Sequence, residues 1–132
     1  MHAPKFEYLL CTRVVTTEKS ADSLLPPPNT LLIRTAFDEL LIIPSTDIEI
    51  DDPHAIIVHD DASYAGCWLD MDTALNFLSY TCEWELPTER PAFAQGAVAG
   101  IATKLHFEQN RVLFIVGSHV AHEMAEHMEG IH

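Results

Sequence analysis

The chain has 132 residues, of which 48% are apolar and 20% are Asp, Glu, Lys or Arg, a globular rather than a disordered composition. That length predicts one domain with a conventional core. A formal net charge of −13 argues against direct nucleic-acid binding and against anionic membranes, because both recruit Lys and Arg. No apolar run approaches the ~18 residues of a membrane-spanning helix. No basic stretch leads an apolar one at the N-terminus, so the expectation is a soluble, unexported, cytoplasmic protein. Cys11, Cys67 and Cys82 are odd in number and lack CxxC spacing, which points to neither a disulfide framework nor a zinc ribbon.

In chain order, residues 5–16 are rich in aromatic and β-branched side chains and predict a strand. The stretch from Glu18 to Pro28 ends in three prolines and predicts a loop. Between Thr30 and Ser45, two apolar runs flank Phe37-Asp38-Glu39 and suit a hairpin or one buried helix; Pro44 and the nearby β-branched residues favour the hairpin. The alternation Asp47-Ile48-Glu49-Ile50-Asp51 predicts a strand with isoleucines inward and acids outward. A further short strand is expected from His54 to His59, ended by Asp60-Asp61.

Tyr64, Trp68, Met71, Leu75, Leu78 and Cys82 recur every three or four residues and predict one helix face. Gly66 weakens its first turn, so the helix proper starts near Asp70 or Asp72, either of which suits an N-cap. Residues 92–102 are small and apolar and suit a closely packed helix or loop. Lys104–Glu108 and Arg111–Val116 predict a hairpin joined at Gln109-Asn110. Ser118 is the expected N-cap of a closing helix from His119 to Glu129, with Gly130 at its C-terminal end.

The architecture expected is a single α+β domain. It has a mostly antiparallel sheet of about five or six strands, with a central and a C-terminal helix packed on one face. Its core would draw on Leu9, Val14, Ile33, Ile42, Ile48, Ile50, Ile57, Leu105, Leu113 and Ile115 from the sheet, and on Trp68, Leu75, Leu78, Val120 and Met124 from the helices.

The charge is unevenly placed. From Thr35 to Glu89 there are 13 acids and no Lys or Arg, whereas the flanks hold equal numbers of acids and bases. Asp47, Glu49, Asp51, Asp52, Asp60, Asp61, Asp70, Asp72, Glu83 and Glu85 would form a negative surface that attracts a basic protein partner. Trp84, with Tyr80, would supply apolar contact there. This predicts a non-enzymatic, acidic interaction protein, and a polyanion-mimicking inhibitor or regulator if the partner's basic surface normally holds nucleic acid. A calcium loop fits Asp47–Asp52 poorly, because isoleucines alternate with the acids and the turn glycine is missing.

The alternative is a transition-metal protein. His119, His122, Glu123, Glu126 and His127 fall on one arc of the final helix, and imidazole with carboxylate suits zinc or nickel. The HExxH pattern is not met, since Glu126 stands where the second histidine is needed. Otherwise no cofactor is expected. A nucleophilic enzyme has weaker support: Ser63 and Cys67 lie near His59, Asp60 and Asp61, without a GxSxG elbow.

Overall fold

The structure, a computed structural model, describes residues 4–130. The elements in chain order are β1 (Glu7–Val15), α1 (Glu18–Ser23), β2 (Leu31–Ala36), β3 (Glu39–Ile43), β4 (Ile56–Asp70) and α2 (Met71–Thr81). They continue with β5 (Ala92–Val98), β6 (Ile101–Phe107), β7 (Arg111–Gly117), a 3-10 turn at Ser118–Val120 and α3 (Ala121–Glu129). The mixed α+β class holds. Among the described residues, however, there are seven strands rather than five or six, and three α-helices rather than two. The chain forms two compact units, one of Leu9–Ala62 and one of the described residues of Met1–Tyr8 and Ser63–His132.

In the Leu9–Ala62 unit the strands lie in the order β2-β3-β1, all antiparallel. The hairpin predicted around Phe37-Asp38 is present, with Leu32 opposite Ile42 and Thr12 on the other side of Ile42. Val14, Ala21, Leu40 and Ile42 are buried together, and Leu24, Leu32, Ile48, Ile50 and Ile57 pack against them. Two expectations change here. Residues 18–23 are a helix rather than a loop, because the Thr17 hydroxyl accepts from the Ser20 N–H at 3.1 Å and caps the first turn. Residues 47–51 pair with no strand among the described residues, yet the side-chain alternation survives: Asp47, Glu49 and Asp51 are exposed while Ile48 and Ile50 are half-buried.

In the other unit, residues 63–70 of β4 begin the antiparallel order β4-β7-β6-β5. One face of these strands presents Cys67, Leu105, Phe107, Val112, Phe114 and Val116. Ala74, Phe77 and Leu78 of α2 and Met124 and Met128 of α3 cover that face. Phe77 meets Phe114 edge-on at 5.9 Å between centroids. Each such side chain contributes roughly 1.5–3 kcal/mol by leaving water.

The stripe predicted from Tyr64 to Cys82 is not one helix. Tyr64 and Trp68 belong to β4, which runs on past Asp60-Asp61. Period two puts Ala65, Cys67 and Leu69 on the face opposite Tyr64 and Trp68. Asp70 is the N-cap of α2, and its carboxylate accepts the Thr73 N–H at 3.1 Å and the Thr73 hydroxyl at 2.7 Å. The buried face of α2 is set by Ala74, Phe77 and Leu78, which leaves Leu75 39% exposed, and Trp68, on the other face of β4 from Cys67, is 38% exposed; neither is in the core.

Residues 92–98 are a strand, not a helix or loop. They turn into β6 at Ala99-Gly100, both at positive φ (52° and 77°), the twist a two-residue hairpin needs. At the last helix, Ser118 opens the 3-10 turn rather than capping α3. Val120 occupies the N-cap position without a side-chain hydrogen bond. Gly130 ends α3 at φ −75°, not in the left-handed region.

Candidate functional site

The acidic segment 47–51 is clamped at both ends by threonines four residues apart, Thr12 within β1 and Thr16 just past its end. At one end the buried Thr12 hydroxyl donates to the Thr46 carbonyl at 2.8 Å, and the Thr46 N–H returns to Thr12 Oγ1 at 2.9 Å. At the other, the Thr16 hydroxyl donates to Asp52 Oδ2 at 2.7 Å, and the His54 N–H donates to Asp52 Oδ1 at 2.9 Å. These bonds, Thr16 first, hold the Asp52 carboxyl below its ordinary range. Between Thr12 and Thr16, on the same side of the strand, Val14 joins the core against which Ile48 and Ile50 pack. The strand thus fixes the segment at its ends and in its middle, and Asp47, Glu49 and Asp51 are left in solvent.

Three of the expected docking acids, Asp52, Asp61 and Asp70, have side-chain partners. Asp52 is a clamp. Asp61 is an ion-pair partner of Arg13 at 3.4 Å, and Arg13 also reaches Glu39 at 3.7 Å. Asp70 caps α2, and Asp72 lies in its first turn, where negative charge opposes the helix dipole favourably. Asp60 is exposed and donates its N–H to Ser45 Oγ at 2.8 Å. Glu83 and Glu85 are exposed on the 82–91 connection, but Trp84 between them turns inward. Its Nε1–H donates to the Ala97 carbonyl at 2.8 Å, and its ring lies over Gly96, where a methyl group would come within 2.6 Å. Tyr80 is 71% exposed on α2.

The histidine-rich helix is split by the 3-10 turn. The His119 ring lies against Gly117, in the turn, so it does not share the phase of α3. On α3 His122 Nε2 meets Glu126 Oε1 at 2.8 Å, with both side chains largely solvated. His106 is elsewhere, 3.5 Å from Glu108 and edge-on to Trp68. Arg111 lies 3.7 Å above that Trp68 ring and binds Glu108 at 2.8 Å, which lowers the Glu108 pKa. Among the described residues no group of three or more His, Cys, Asp or Glu side chains is arranged to hold a metal.

A hydroxyl–imidazole cluster that the sequence did not single out brings Ser45, Thr12 and His59 together. Thr12 spends its proton on Thr46, so the Ser45 hydroxyl, 3.0 Å away, is the donor toward Thr12. His59 Nδ1 lies 3.5 Å from Thr12 Oγ1. Through Thr12 the cluster ties Ser45 and the start of the acidic segment to β1. Cys67 is buried and its thiol pKa is raised by desolvation; burial likewise pushes Cys11 up to about 11.

No family model matches the chain, and neither a curated protein nor a solved structure matches it significantly. No helix among the described residues is long and apolar enough to cross a membrane.

Proposed function

We propose that this protein is a non-enzymatic acidic docking protein whose 47–51 segment engages a basic surface on a partner protein. One observation carries this reading: three acids project into solvent from a segment pinned by Thr12, Thr16, Ile48 and Ile50. A charged surface fixed before binding loses little conformational entropy on association and orients the approaching partner. Where the partner's surface normally holds nucleic acid, the acids occupy it as a polyanion would, and the protein regulates or inhibits its client.

The test is charge reversal with salt dependence. Asp47→Lys, Glu49→Lys and Asp51→Lys together abolish partner binding in this account, and wild-type binding weakens as salt rises. Binding indifferent to both contradicts it.

A further inference from the structure

Beside the acidic segment, α1 and residues 49–51 enclose a cleft of about 450 Å3, within the size range of natural ligand clefts. Leu24, Leu25 and Ile50 supply the apolar part of its lining, and Lys19, Glu49 and Asp51 the charged part. Leu25 is 83% exposed, the most open large apolar side chain among the described residues. The backbone beside the cleft is also unused. The Asp51 carbonyl accepts the Ser20 hydroxyl at 3.3 Å, but residues 47–50 make no backbone hydrogen bond to any other described residue. A chain with period-two burial and unpaired amides and carbonyls offers what a sheet edge offers.

Resting on the docking role proposed above, we infer that the occupant is an extended segment of a partner protein that adds alongside residues 47–50 as a strand, alternating basic and aliphatic side chains. Its aliphatic residues enter the cleft over Leu24, Leu25 and Ile50, and the Lys or Arg residues between them meet Asp47, Glu49 and Asp51. The alternation follows from the period of two on both chains. Lys19, on α1, repels basic side chains there while Glu49 and Asp51 attract them, so charge complementarity also sets on which side they lie.

The test compares two fluorescent peptides of one composition, Lys and Leu alternating or Lys and Leu in blocks, by anisotropy with the full chain at low salt. The alternating peptide is expected to bind about tenfold tighter, a difference of one decade in Kd. N-methylation of its backbone at alternate residues on the pairing edge removes that advantage. Leu25→Ser, at an exposed position, weakens the alternating peptide and leaves the block peptide unchanged. If both peptides bind equally and both are lost on Glu49→Lys with Asp51→Lys, strand addition is wrong while the acidic docking role stands. If neither binds, both fall.

Discussion

The Thr16 hydroxyl and the Asp52 carboxylate, 2.7 Å apart, tie the end of β1 to the end of the acidic segment. Asp52 is the acid in that run whose charge is used internally, and its lowered pKa records it. A carboxyl whose folded pKa is depressed contributes stability above its unfolded pKa of about 3.9 and loses it as pH falls through the folded value. Thr16→Val removes the main donor. The melting-temperature gap between wild type and Thr16→Val is therefore expected to be constant at neutral pH and to narrow below about pH 4. A gap independent of pH down to full protonation contradicts the clamp.

Thr12 makes the other clamp, and its environment is fully buried. Thr12→Val keeps the shape but strands the Thr46 N–H and carbonyl and the Ser45 hydroxyl. Denaturant unfolding is expected to show a loss of about 1–3 kcal/mol. Partner binding should weaken in parallel, because Asp47 then loses its fixed neighbour Thr46. A variant as stable as wild type would show that water replaces these bonds at no cost.

Gly96 is glycine because Trp84 occupies the space above it. Gly96→Ala sets a methyl against the indole, and overpacking of this kind costs about 1–3 kcal/mol. The chain has two tryptophans, so fluorescence reports the change: emission is expected to shift to the red as Trp84 is pushed toward water, and Trp84→Phe should abolish the shift. An unchanged spectrum would mean that the ring is not seated as described.

Cys11 and Cys67 are buried and their thiolates are disfavoured, Cys11 with a pKa of about 11. A thiol reagent at neutral pH is expected to modify them at the rate of unfolding, not at a rate proportional to reagent concentration. Fast, reagent-dependent labelling of either would revive a nucleophilic role.

Much of this was legible where a local rule and the tertiary structure agree. The β2–β3 and β6–β7 hairpins, the Asp70 cap and the outward acids at 47, 49 and 51 follow from period and capping chemistry alone. The failures have physical causes. Tyr64, Trp68 and Met71 are spaced like a helix face by coincidence, while the small residues Ala65 and Gly66 hide the strand's own alternation. The β5–β6 turn uses Ala99 at positive φ, where Asn or Asp would have announced a hairpin. α1 has a local signal in Thr17 as N-cap and Glu18 in the first turn, but it is one short helix beside a proline run that reads as loop. The clamp is visible in Thr12-x-Val14-x-Thr16 only once β1 has a neighbour on that side. The inward turn of Trp84 has its one sequence trace in a glycine inside a strand.

The central claim is that position, not net charge, makes the acidic segment a docking surface. It is tested most directly by retaining proteins from native lysate on three columns and eluting with salt. One carries the wild type, one the Asp47→Lys/Glu49→Lys/Asp51→Lys variant, and one a control with equal charge change on α3, Glu123→Lys/Glu126→Lys/Glu129→Lys. The account predicts the same basic proteins on the wild-type and α3 columns, released as salt rises, and none of them on the 47/49/51 column. Equal retention on the two variant columns would contradict it and reduce the acids to a source of solubility.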